Sequence, residues 1–142
     1  MKTQIVTIFV AALLAGCATS LMTTPSGGPE VTINAPVAKV RARAINDMVN
    51  RGYTPTKTDG LNIIFEKDST MMASAFFGSG YDLQARNRVK ITLVDDGAGA
   101  VRVLCHGYIV GNPSSGFERE NEITGSNKTF QEWLFTLHSE CE

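Results

Sequence analysis

The chain reads as an α+β protein, a two-layer sandwich in which an antiparallel sheet is covered by two helices in the order β-α-β-β-β-α. Two observations predict this. Near each end of the region 31–142 lies a segment whose apolar residues recur at three- and four-residue spacing on one side only. Between them apolar and polar residues alternate in runs broken by Gly- and Asp-rich turns, which is the pattern of half-buried strands.

The elements follow in order. Val31-Thr32-Ile33 is a short β-like stretch, after which Asn34 is placed as an N-cap and Pro36 in the first turn of a helix, where its missing N–H costs nothing. Val37, Val40, Ala44 and Met48, with Ile45 alongside, fall on one helical face. Gly52 is positioned to end the helix in a left-handed cap. Its opposite face carries Lys39, Arg41, Arg43, Asp47 and Arg51, a solvated surface steadied by pairs such as Arg43/Asp47 and Asp47/Arg51. From Tyr53 the period becomes two. Asp59-Gly60 turns the chain, and Leu61, Ile63 and Phe65 alternate with Asn62, Ile64 and Glu66. Val89, Ile91 and Leu93, then a turn at residues 95–99, then Val101, Val103 and Cys105 form the clearest hairpin. Residues 111–116 make a loop and 118–122 a charged, solvated stretch. The last element is a helix with Thr129-x-x-Glu132 as a capping box and Phe130, Trp133, Leu134, Leu137 and Cys141 on one face.

Ahead of this domain, Met1-Lys2 supplies a positive start, Ile5–Leu14 an apolar run, and Leu14-Ala15-Gly16-Cys17 a small-residue cleavage point. About twelve apolar residues at 1.5 Å each cover only ~18 Å of a ~30 Å hydrocarbon core, too little for a spanning helix. Leu14-Ala15-Gly16-Cys17 resembles the lipobox of bacterial lipoproteins. The resemblance implies that residues 1–16 are a signal peptide and that Cys17 becomes an N-terminal cysteine carrying acyl chains such as palmitate, several of which hold a protein on a bilayer. Ala18 follows Cys17 where an aspartate would resemble an inner-membrane retention signal. In a Gram-negative host the implied location is therefore the periplasmic side of the outer membrane. Residues 17–30 would then be the lipidated cysteine and a flexible tether, of which thirteen residues reach roughly 20 Å, and 31–142 a single periplasmic domain. The element order, with a helix ending in Arg51-Gly52-Tyr53 before the sheet, resembles the helix-grip-like domains of some envelope lipoproteins.

Without residues 1–16 the chain has twelve basic against fourteen acidic residues, too balanced for a nucleic-acid binder. Cys105 shares a strand face with Val101 and Val103, and Cys141 a helix face with Trp133 and Leu137. In an oxidising periplasm this predicts a Cys105–Cys141 disulfide, which would contribute roughly 4 kcal/mol through chain entropy; two buried free thiols are the alternative. Cys105-His106 with His138-x-x-Cys141 is a metal-type set, but neighbours on a strand face opposite ways, so no metal is expected and both imidazoles are placed at the surface or rim.

Residues 69–81 (STMMASAFFGSGY) carry no charge. They read either as a strand covered on both sides or as a contact surface in which Met71, Met72, Phe76, Phe77 and Tyr81 meet a partner, a lipid or the membrane. Gly78-x-Gly80 and Gly97-x-Gly99 lack the remaining parts of a phosphate loop, and no cofactor motif is present. Glu118, Glu120 and Glu122 could line one strand face as a carboxylate row, read here as solvated. No nucleophile elbow occurs, so no catalytic residue is assigned. The expected function is a non-enzymatic interaction or accessory module of the cell envelope, bound to the membrane through Cys17 and to an envelope protein. The alternatives are a binder of a hydrophobic ligand or lipid in a cavity between sheet and helix and, third, an envelope enzyme.

Overall fold

The computed structural model describes residues 24–69 and 85–142. They form an α+β fold with a six-stranded antiparallel sheet and two helices: β1 (Glu30–Ile33), α1 (Val37–Asn50), β2 (Thr54–Lys57), β3 (Asn62–Asp68), β4 (Arg86–Asp95), β5 (Val101–Gly111), β6 (Arg119–Glu122) and α2 (Asn127–Cys141). The sheet order is β1-β5-β4-β3-β2, and β6 extends the β1 side by pairing with the far half of β5.

Alternation sorts the sheet into two faces. Ile33, Ile63, Phe65, Val89, Ile91, Leu93, Val101, Val103 and Cys105 are buried in one cluster with Val40, Ala44 and Met48 of α1 and Trp133, Leu134, Leu137 and Cys141 of α2. Both helical stripes and the central hairpin therefore fall where the apolar spacing puts them. Gly107 in β5 lets α2 approach: a Cβ there would lie 2.5 Å from Cε2 of Phe130.

Helix α1 ends as its glycine requires. Gly52 has φ +82°, its N–H donates to the Val49 carbonyl and the Tyr53 N–H to that of Met48, which satisfies two orphan carbonyls in a Schellman motif. Lys67 donates to the Arg51 carbonyl at 2.9 Å, placing a cation at the negative end of the helix dipole.

Several local expectations are corrected. Pro36, not Asn34, precedes the first helical residue, and the Asn34 side chain donates instead to Glu142 at 3.0 Å, tying the end of β1 to the end of α2. The capping box at Thr129 does not form, because the helix starts at Asn127, directly after a 3-10 turn at Thr124–Ser126 and three residues earlier than expected, which places Thr129 inside it. Leu61 sits in the turn before β3 and is 56% exposed. The charged stretch 118–122 contains strand β6, all four residues of which are exposed; its pairing comes from β5 rather than from an apolar pattern of its own.

The expected disulfide is not formed: Cys105 and Cys141 are both buried free thiols. They join the same cluster but lie at opposite ends of β1. The Cys105 N–H donates to the carbonyl of Pro29, just before that strand, whereas Glu142, next to Cys141, accepts from Asn34, just after it. Five extended residues, Pro29 to Asn34, separate the two levels by roughly 16 Å. A disulfide joins Cα atoms no more than about 7 Å apart. Burial pushes the Cys105 thiol pKa up, and burial does the same at Cys141, so neither is poised as a thiolate.

Candidate functional site

The sheet face opposite the core cluster is charged, and the ladder register explains why its groups meet. Glu66 on β3 pairs with Arg88 on β4, which pairs with Tyr108 on β5, which pairs with Glu122 on β6. One row thus crosses four strands. The flanking rows bring Asp68 opposite Arg86 and Lys90 opposite His106.

Arg88 is the centre of this array, with its side chain only 13% exposed. Its Nη2 lies 2.5 Å and its Nε 2.8 Å from Glu66, while Nη1 reaches Glu118 at 2.6 Å and also Glu120. Lys90 completes the chain at 2.6 Å from Glu120, with its Nζ 4.6 Å above the Tyr108 ring, within cation–π range. Arg86 holds the far side of Glu66 at 3.0 Å. His106 Nδ1 and Glu122 are 3.0 Å apart.

Electrostatics follow the geometry. Burial alone would disfavour the Arg88 charge, but hydrogen bonds to Glu118, Glu120 and Glu66 outweigh it and push its pKa up. The Arg88 guanidinium, helped by the Ser114 backbone N–H, holds the Glu118 carboxyl below its usual range. At Glu120 partial burial works the other way, and Lys90 and Arg88 overcome it. Tyr108 is raised by burial and then by Glu122 and Glu120.

The carboxylate row stays on the solvent side of the sheet, as expected of it, but it is also paired: Glu118 and Glu120 converge on Arg88, and Glu122 meets His106. What the sequence reading missed is Arg88 itself. Its signal lay in the alternation Arg86, Arg88, Lys90 opposite the apolar Val89 and Ile91, which puts three cations on one strand face. Among the described residues no group of three or more His, Cys, Asp or Glu side chains is placed to hold a metal. The Arg43–Asp47 pair expected on α1 is present at 3.1 Å. His138 lies 3.2 Å from Glu142 at the end of α2.

At the Asp68 end of the charged face a cleft of about 450 Å³ is lined by Thr54, Thr56, Glu66, Lys67, Asp68 and Arg86. Its cations are already engaged, Arg86 with Glu66 and Asp68, and Lys67 with the Arg51 carbonyl. A crevice of about 90 Å³ lies between the sheet and the start of α2, bordered by Tyr53, Asn87, Val89, Gly107 and Phe130. It is well below the ~300–1,000 Å³ of small-molecule sites. The expected lipidation site Cys17 and the contact candidates Met71, Met72, Phe76, Phe77 and Tyr81 lie outside the described residues. Among the described residues no helix is long and apolar enough to cross a membrane.

No family model matches the chain, and no curated protein sequence matches it.

Proposed function

We propose that this protein is a lipid-anchored accessory lipoprotein of the cell envelope, without catalytic activity, on the periplasmic side of the outer membrane. Its domain is a two-layer sandwich that engages a protein partner through the helix-free face of its sheet. The observation that carries this reading is the Arg88-centred array, a set of charged groups held in fixed positions across four strands. Pre-positioned charges favour recognition, because a partner need not freeze them on binding. On this face the five carboxylates of Glu66, Asp68, Glu118, Glu120 and Glu122 outnumber the four cations Arg86, Arg88, Lys90 and Arg102, and the acidic excess lies at the array, so the partner presents positive charge. The lipobox-like leader supports the anchor and the address.

Site-directed photo-crosslinking in intact Gram-negative cells tests this. Crosslinkers at Thr92 and Arg102, on the charged face, should capture a discrete partner, and crosslinkers at Lys128 and Glu132 on the outer side of α2 should not. Capture from α2 alone would overturn the assignment of the face.

A further inference from the structure

The segment expected to be a free tether is bound down over its second half. Glu30 opens β1, and its outward N–H and C=O are both taken by the Gln131 side chain, at 3.0 and 2.9 Å. Before it, the Pro29 carbonyl accepts from Cys105, continuing the β1–β5 ladder. Gly28 lies so close to the His106 ring that a Cβ would stand 2.9 Å from Cε1. The chain then turns on itself: Thr24 Oγ1 donates to the Gly28 carbonyl at 2.5 Å, Gly27 N–H to the Thr24 carbonyl at 2.9 Å, and Ser26 N–H to the Glu30 carboxylate at 3.0 Å. Residues 28–30 are buried. Thr24–Pro29 is thus a strap laid on the sheet beside His106, on the side of the charged face.

We infer that this strap holds the domain against the bilayer surface, with the charged face on the same side as the anchor, so that its partner is a protein embedded in that same membrane. The inference rests on lipidation of Cys17. Cys17 and Thr24 are seven residues apart, and seven residues in any conformation span at most about 25 Å. A free run to Glu30 would have allowed roughly 45 Å. The domain has a radius of gyration of about 13 Å, so its anchor is shorter than the domain is wide. A short anchor that leaves on the side of the charged face brings that face beside the surface of a protein embedded in the same membrane.

The test uses the full acylated chain in phosphatidylethanolamine/phosphatidylglycerol vesicles, with a donor fluorophore on Arg102→Cys and an acceptor on the lipid headgroups. Native spacing should give efficient transfer. Inserting twelve Gly/Ser residues after residue 22 enlarges the mean reach about 1.6-fold and should lower the transfer. Gly28→Val, which drives a side chain into His106, should lower it too, and because the insertion leaves every strap contact in place, misfolding of Gly28→Val would not obscure the result. Equal transfer from the native and inserted chains, or native transfer from a Gly28→Val chain that is folded by circular dichroism, would overturn the strap's role. Intact mass showing no acyl group on Cys17 would instead overturn the lipoprotein reading on which it rests.

Discussion

Arg88→Met removes the guanidinium and keeps most of the aliphatic volume, which isolates the charge. The cation sits at 13% side-chain exposure against Glu66 at 10%, with Glu118 and Glu120 each at 28%. Breaking a buried ion pair by deleting one partner costs about 3–5 kcal/mol, because the other charge is left uncompensated. Half-exposed carboxylates recover part of this from water, which brings the expected loss at pH 7 to about 3 kcal/mol and the drop in Tm to roughly 12 °C or more. Acid should reverse it. In the native chain Glu118 and Glu120 titrate below the usual carboxylate value, so the stability they contribute is present above that value and is lost as pH falls through their depressed pKa. In the variant Glu118 loses its ion-pair partner, while Glu120 keeps Lys90 and Glu66 keeps Arg86, so three carboxyls share two cations and the variant folds better once they are protonated. Urea unfolding at pH 7 and pH 4 should therefore show a gap between native and variant that shrinks on acidification. A gap under about 1 kcal/mol at pH 7, or one indifferent to pH, would refute the claim that Arg88 organises the face.

Gly107→Ala should cost about 1–3 kcal/mol by forcing Phe130 off β5, and Phe130→Ala in the same chain should recover part of it in a double-mutant cycle. Gln131→Leu leaves the Glu30 N–H and C=O without their partners, with an expected loss of about 1–3 kcal/mol by urea titration. Asn87→Val replaces a side chain whose Oδ1 is buried without a hydrogen-bond partner among the described residues, beside the small crevice, and should raise stability by about 1 kcal/mol in the same assay.

What could be read from sequence was what repeats. Val40, Ala44 and Met48 on α1, Trp133, Leu134 and Leu137 on α2, and Val89, Ile91 and Leu93 on β4 all entered the core, because hydrophobic spacing is a local property that burial enforces. Gly52 was legible for the same reason, a positive φ that one residue type accepts cheaply. Strands β2 and β6 were not. Thr54–Lys57 contains a proline and a register shift, and Arg119–Glu122 is wholly polar, so each is a strand only because a neighbour pairs with it. The disulfide failed in a related way: face assignment told which layer each cysteine enters but not its level along β1, which depends on how α2 is set against that strand. The charged array was half legible, since the glutamates stood out while the arginine that gathers them is defined only by cross-strand register.

The edges of the sheet constrain how any partner is recognised. An open edge invites a strand from another chain, and each described edge here is blunted. At β1 the Gln131 amide occupies the outward hydrogen bonds of Glu30. At β2 Pro55 lacks an N–H and the register shifts before Lys57. At β6 the strand is four residues long and charged. Strand addition would have to displace the Gln131 lock or pair against a proline, and the charged face asks for neither. Recognition by side chains of that face has a consequence that strand addition lacks, because its attraction is electrostatic and weakens as the Debye length falls from about 10 Å at 0.1 M salt to about 3 Å at 1 M. A partner captured from the face should therefore be released by salt, and Gln131→Leu, which frees the β1 edge, should not strengthen its binding. A complex that persists at 1 M salt and tightens in Gln131→Leu would be held by the strand edge, and the Arg88 array would then be only the sheet's solvent coat.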